Sequence, residues 1–179
     1  MNFQKHKIAL VPALLFSLML HAQSDEKFSD HLFFGGSFGL QFGSYTYINL
    51  SPMAGYKFTP KISAGLSLTY IYYNVKEPGY TPYTSNVYGG SIFTRYMITQ
   101  DFFAHAELQL LNMDIYEQSY YYYYYKGRQT IPSLLLGGGY RMPMGSNSSM
   151  NIMILYDVID DRYSPYVSPI IQIGFGFGF

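Results

Sequence analysis

His105 and Glu107 are residue types that could form an acid–base pair, and they lie two positions apart. In a β-strand, residues two apart face the same side, so both side chains would point in one direction. A tight turn at Thr99–Asp101 would place Arg95 opposite His105 and diagonal to Glu107. The competing interpretation is a polar plug, in which charges of mixed sign neutralise one another inside a packed interior. The sequence favours the plug, with no catalytic residue.

The residue types give little indication of disulfides, metal sites or nucleic-acid binding. The sequence contains no Cys, which excludes disulfides and thiolate metal sites. Outside the first 22 residues the histidines are His31 and His105, too few for a metal centre, so we expect no metal and no cofactor. Lys and Arg number 11, as do Asp and Glu, and this balance argues against a nucleic-acid partner.

The composition indicates a surface that faces lipid. Charged residues make up 12% of the chain, about half the share found in soluble domains, while aromatic residues make up 20%. A soluble fold has difficulty burying so many rings with so few charges on its surface. A membrane-facing surface does not need to bury them.

The first 22 residues have the features of a cleavable signal peptide. Lys5 and Lys7 give a positive start, Ile8–Leu20 is an apolar run, and Ala22 precedes the expected cleavage point. The apolar run is shorter than the ~20 residues that a spanning helix needs. We therefore expect a signal peptide over 1–22, a short lead over 23–31 and a single domain over 32–179.

The domain alternates between large apolar residues and small or polar ones, which is the pattern of strands with two unlike faces. In the last segment, Ile171, Ile173 and Phe175 alternate with Gln172 and Gly174. The pattern recurs eight times, near Leu32–Phe42, Thr46–Phe58, Ile62–Asn74, Asn86–Ile98, Phe102–Tyr116, Thr130–Met142, Met150–Ile159 and Tyr166–Phe179. Because only helices and closed barrels satisfy all backbone groups in hydrocarbon, a membrane location requires a closed barrel.

Short and long connections alternate along the chain. Thr59–Lys61, Thr99–Asp101 and Pro143–Ser149 are tight turns, whereas Val75–Ser85 and Glu117–Gln129 are long. Alternation of short periplasmic turns with longer external loops is typical of outer-membrane barrels. The sequence thus predicts an all-β, transmembrane, antiparallel up-and-down barrel of about eight strands.

This pattern resembles the small outer-membrane barrels typified by OmpX and the membrane domain of OmpA. The resemblance extends from Leu32 to Phe179 as a pattern and not as a residue-by-residue motif. It implies a bacterial outer-membrane location, contact with outer-membrane lipid and a monomer. The alternating aromatic residues Phe175, Phe177 and Phe179 resemble the signal read by the barrel-insertion machinery, so we expect them to direct assembly.

Two sets of side chains are the predicted functional features of such a barrel. The first faces the lumen and forms a polar network of Lys57, Arg95, His105, Glu107, Arg141 and Asp157. The second is a tyrosine-rich contact surface in the loop between strands five and six, made of Tyr116, Tyr120, Tyr121, Tyr122, Tyr123, Tyr124 and Tyr125. The alternative for the tyrosines is an interfacial aromatic belt with an extended hairpin beyond the membrane. The sequence identifies no external ligand.

The expected function is structural, or interaction through surface loops. The first alternative is a narrow channel or transporter for small or hydrophobic solutes, and another is a soluble secreted β-sandwich. A third alternative is an enzyme that modifies outer-leaflet lipid, as small acyltransferase and deacylase barrels do. His105 argues against this third alternative, because it lies near the tight turn at Thr99–Asp101 and therefore at the periplasmic end.

Overall fold

A computed structural model of the chain describes residues 28–41, 45–75, 83–118, 123–166 and 168–178. The chain divides into two compact units, Met1–Asp30 and His31–Phe179. In the first unit the described residues belong to the start of a short 3-10 helix, Phe28–His31. The proposed signal peptide lies outside the described residues. No helix among those residues is long and apolar enough to cross a membrane.

The second unit is a closed antiparallel barrel of eight strands, so the predicted fold class is confirmed. Each strand is hydrogen-bonded to its neighbours in sequence, and β1 pairs with β8 to close the barrel. The strands are β1 Leu32–Gln41, β2 Tyr45–Lys57, β3 Ile62–Val75, β4 Tyr83–Met97, β5 Phe102–Gln118, β6 Tyr123–Pro143, β7 Ser148–Asp157 and β8 Ile170–Phe177.

Two strand starts differ from the prediction by more than three residues. β6 begins at Tyr123, seven positions before the predicted Thr130, because the β5–β6 hairpin continues its backbone pairing to Gln118 and Tyr123. β8 begins at Ile170 and not at Tyr166. Pro165 and Pro169 flank the lost segment, and proline has no N–H to donate to a ladder.

The closing seam between β1 and β8 is the shortest pairing and depends on glycine. It runs from Phe34, opposite Phe177, to Ser37, opposite Gly174. A Cβ atom added at Gly35 would collide with the backbone carbonyl of Phe175 across the seam. Close approach of the two backbones therefore requires the absence of a side chain at this position.

Burial alternates along the strands, with polar and apolar side chains alike on the inner face. On β7, Asn151, Met153 and Asp157 are buried, whereas Ile152 and Ile154 between them are exposed. The interior is filled in layers. Apolar clusters pack beside the polar side chains: one contains Phe103, Leu135, Met153 and Leu155, and another, toward the long loops, contains Ile71, Val87 and Leu111.

Candidate functional site

The buried side chains best suited to acid–base chemistry lie in a row. They are Arg95, His105 and Glu107, which we call the lumen triad. Arg95 lies opposite His105 in the β4–β5 register, as expected from the tight turn. The three residues are buried, with relative exposures of 5% for Arg95, 4% for His105 and 9% for Glu107. The Nε of Arg95 lies 3.2 Å from Nδ1 of His105, and Nε2 of His105 lies 3.1 Å from Oε2 of Glu107.

This geometry fixes the protonation of the His105 ring. The guanidinium of Arg95 can only donate, so Nδ1 of His105 must accept and carries no proton. The ring is therefore neutral, and its Nε2–H donates to the Glu107 carboxylate. With both ring nitrogens engaged, neither is left to take a proton from a substrate or nucleophile.

Aromatic rings and methionines complete the surroundings of Arg95. Its guanidinium carbon lies 5.2 Å from the centre of the Phe93 ring and 5.1 Å from that of Phe103. Its Nη2 lies 3.6 Å from Sδ of Met53 and 3.8 Å from Sδ of Met153. These contacts hold the buried cation by cation–π attraction and weak hydrogen bonds to sulfur.

A second chain of hydrogen bonds lies one layer closer to the long loops. The hydroxyl of Tyr166 donates to Oε1 of Gln109 at 2.6 Å, and Nε2 of Gln109 donates to Oγ1 of Thr69 at 3.2 Å. Tyr166 comes from the β7–β8 loop and also packs against both apolar clusters of the interior. It therefore fills part of the lumen toward the loop end. The alternation predicts Tyr166 in a strand, and this prediction is wrong, because β8 begins at Ile170; Pro165 and Pro169 are the signal in the sequence for an irregular segment here.

The other members of the predicted polar network lie apart from the lumen triad. Lys57 and Arg141 lie at the short-turn end, where Nη2 of Arg141 donates to the Gln100 carbonyl at 2.7 Å. Asp157 lies at the opposite end of β7 and accepts from the backbone N–H of Leu134 and from the Ser164 hydroxyl. The six residues thus form three groups along the lumen and not one continuous network.

The tyrosine-rich segment continues the β5–β6 hairpin beyond the pairing of the other strands. Tyr116, Tyr124 and Tyr125 are 40%, 44% and 56% exposed. The rings of Tyr116 and Tyr125 lie 5.4 Å apart. Tyr120, Tyr121 and Tyr122 are outside the described residues, as is Phe179, and Tyr123 is described by its backbone alone. Phe177 is 58% exposed on the outer face.

Arg128, below those tyrosines, joins three strands. Its Nη1 lies 3.1 Å from Oδ2 of Asp114 on β5, and its Nη2 donates to the Asn86 carbonyl on β4 at 2.7 Å. Its guanidinium carbon lies 4.5 Å from the centre of the Tyr88 ring. The β4–β5 pairing ends at Tyr88 and Asn112, so Arg128 satisfies carbonyl groups at the point where the ladder ends.

Cavities occupy the lumen on both sides of Arg95 and Asn151. One, of about 40 Å³, adjoins His105, Glu107 and Gln109 toward the loop end. Another of the same volume adjoins Lys57 and Arg141 at the short-turn end. Each has room for a few water molecules, roughly one per 10–15 Å³. Among the described residues, no three His, Asp or Glu side chains are close enough to hold a metal ion together.

Comparison with known proteins gives a similarity in fold. No family model matches the chain. No curated protein matches it either. The chain is similar to the N-terminal β-barrel domain of Pseudomonas aeruginosa OprF, a crystal structure, with a TM-score of 0.45 and 13% identity over 82% of this chain and 96% of that one. This similarity concerns the fold alone.

The lumen triad yields a prediction about stability. Replacing Arg95 by Met, or Glu107 by Gln, should each lower the free energy of unfolding by about 3–5 kcal/mol, because the remaining charged group is left buried without compensation. Because His105 connects the two, the double variant should lose less than the sum of the single losses. Urea unfolding in detergent micelles measures all three values.

The exposed cation Arg162 provides the control for this cycle. Arg162→Met should change the free energy of unfolding by no more than about 0.5 kcal/mol. Strictly additive losses for the Arg95 and Glu107 variants would contradict the coupling through His105.

Proposed function

We propose that this chain is a bacterial outer-membrane β-barrel with a side-chain-filled lumen, which anchors the extended β5–β6 hairpin as a surface for interaction. The observation that carries the proposal is the inverted arrangement of its two faces. Ile92, Leu66 and Leu108 are 58%, 63% and 44% exposed on the outside, while Arg95, His105 and Glu107 are buried inside. A soluble barrel would need the opposite arrangement.

A continuous band of apolar side chains around the outer surface supports a location in the membrane. The β3–β6 register places Leu66, Ile92, Leu108 and Leu134 side by side around the barrel. Between the levels of Tyr88 and Tyr96, near the two ends of the band, the outward-facing side chains that the structure describes include no charged group. Lipid tails can cover such a band, whereas water would solvate it poorly.

The height of the band also suits a membrane. Tyr88 and Tyr96 are 50% and 48% exposed and lie eight residues apart on β4. At about 3.4 Å per residue, the distance along the strand is ~27 Å. A strand tilt of about 40° reduces it to ~20 Å along the barrel axis, near the ~25 Å of outer-membrane barrels. Tyrosines at both edges match the interfacial positions that this side chain favours.

The lumen supports a structural role for the interior. The three residues best suited to catalysis engage one another, and the His105 ring has no nitrogen left for a substrate. We therefore propose no enzymatic activity. We also propose a monomer, with the short turns in the periplasm, outer-membrane lipid as its surroundings and the insertion machinery as its assembly partner. The signal peptide and the specific likeness to OmpX stay predictions.

In a membrane, the free-energy cost of placing a charge on the outer face of the barrel depends on its depth in the bilayer. Ile92→Arg should lower the free energy of unfolding by about 2–4 kcal/mol in lipid vesicles, because the new charge lies at the middle of the apolar band. Gln100→Lys, in an exposed short turn, should cost close to nothing. Urea unfolding of both variants in vesicles measures the difference. Equal effects, or a folded monomer in buffer without detergent, would contradict the membrane location.

A narrow channel is the second candidate, and the adjoining cavities in the lumen favour it. Arg95 and Asn151 line both cavities, so they stand between them. We expect this barrier to be closed, because Arg95 is held by two rings, two sulfurs and His105. Planar-bilayer recordings of the refolded chain should therefore show no steady unit conductance. Reproducible conductance steps that grow in Arg95→Ala would favour the channel instead.

A further inference from the structure

The ladder that closes the barrel covers part of the seam between β1 and β8. Its last rung toward the long loops joins Ser37 to Gly174. Beyond that rung, the structure describes no pairing between residues 38–41 of β1 and 170–173 of β8, although each segment is paired with its other neighbour. In an antiparallel ladder, alternate residues direct their backbone N–H and C=O groups toward the same neighbour. Backbone groups of both segments therefore face this part of the seam without a partner strand.

Apolar side chains flank this unpaired stretch on the outer face of the barrel. Phe38, Ile171 and Ile173 are 60%, 68% and 51% exposed there. The ring of Phe38 stacks with that of Phe175 across the seam, and the two ring centres lie 6.4 Å apart. The outer side of the seam thus suits contact with lipid tails. At such a depth, backbone groups without a partner are tolerated only where protein covers them or where they line a water-filled cavity.

A polar cavity lies directly behind the seam. It is the cavity of about 40 Å³ beside the lumen triad, and its lining includes Ser37 and Gly174 of the last rung and Gln172 beyond it. The charged groups among its described lining residues belong to the lumen triad, in which a cation and an anion are joined through a neutral ring. The cavity is therefore polar but has no net charge.

Asn151 gives an independent indication that a ligand binds in this cavity. It is 1% exposed, and its Nδ2 has no hydrogen-bond partner among the described residues. It lines the cavity and lies opposite Gly174 in the β7–β8 register, so it is next to the last rung of the seam. Gly174 has no side chain to separate the amide from the seam. Buried side-chain donors in native proteins almost always have an acceptor, and this one has to come from outside the protein.

We propose that the unpaired part of the seam is a lateral entrance, through which the cavity binds a long-chain alcohol from the surrounding lipid. The hydroxyl oxygen accepts a hydrogen bond from Nδ2 of Asn151, and the alkyl chain stays outside, along Phe38 and Ile173. An uncharged head suits a cavity without net charge, because a buried carboxylate or phosphate would need a cation to pair with it. This inference rests on the proposed membrane location and adds a ligand to it.

The size of the cavity also selects a small head. A volume of about 40 Å³ has room for a few water molecules. It therefore admits a head of about two or three non-hydrogen atoms, which a hydroxymethyl group matches and a sugar or a phosphate ester exceeds.

Titration of dodecanol into the folded chain in lipid nanodiscs tests the proposal. The side-chain amide signals of Asn151, assigned by comparison with Asn151→Leu, should shift saturably in proton–nitrogen NMR spectra. Dodecane has the same tail without an acceptor and should leave these signals unchanged. Dodecanoate should bind about tenfold more weakly than dodecanol, equivalent to roughly 1.4 kcal/mol. Incorporation of the folded chain into the nanodiscs, measured before any alcohol is added, reports on the membrane location separately.

Engineered disulfides test the lateral entrance, because the chain contains no cysteine of its own. Phe38→Cys with Ile173→Cys places a pair just beyond the last rung. Its disulfide should weaken dodecanol binding at least about tenfold, and reduction should restore the binding. Phe34→Cys with Phe177→Cys places a matched pair inside the ladder, and its disulfide should leave binding unchanged. Asn151→Leu, measured by calorimetry, should weaken binding about tenfold and keeps the test decisive if the first disulfide does not form.

Two results would overturn the proposal. The first is dodecanol binding that is absent or equal to that of dodecane, since the cavity would then hold water alone. The second is equal dodecanol binding with the disulfide between positions 38 and 173 formed and reduced, since the alcohol would then not enter through the seam.

Discussion

Closure of the backbone ladder is the constraint on which the rest of this structure depends. Pairing of β1 with β8 leaves the sheet without a free edge, and only a closed ladder satisfies every strand N–H and C=O inside hydrocarbon. The closing seam is short, and glycine at position 35 allows the two backbones to approach. Eight strands enclose a space that is just wide enough for side chains to fill. The narrow lumen and its packed contents follow from that closure.

The interior combines two ways of filling this space. Near the short turns, Arg95, His105 and Glu107 satisfy one another, and rings and sulfurs surround the guanidinium. Toward the loops, Ile71, Val87 and Leu111 pack together beside Tyr166, whose hydroxyl donates to Gln109. A buried polar layer is stable only when each member has its partners, and it then fixes the relative positions of the strands. We expect this layer to set the β4–β5 register.

The strand pattern and the lumen triad could be predicted from sequence because both follow from the two-residue period of β-strands. Once a turn of three residues joins β4 and β5, the pairing of Arg95 with His105 is determined. The contacts of Tyr166 and Arg128 could not be predicted in this way. Tyr166 enters the lumen from a loop, and Arg128 crosses β5 to reach a carbonyl on β4. Neither contact has a fixed spacing in sequence. Likewise, the separation of Lys57 and Arg141 from Asp157 depends on their positions along the barrel axis. The two-residue period of the strands predicts which face a side chain is on, but not its position along that axis.

We infer that one face of each strand meets lipid while the other fills the lumen. The chain contains no cysteine, so single cysteines introduced at Ile92 and Leu108 on the outside, and at Ser91 and Gln109 on the inside, can each carry one fluorescent label. The measurement is quenching of each label by nitroxide groups on the lipid tails of vesicles that hold the folded protein. We expect strong quenching at the two outer positions and weak quenching at the two inner ones. Equal quenching at all four, or stronger quenching at positions 91 and 109, would contradict it.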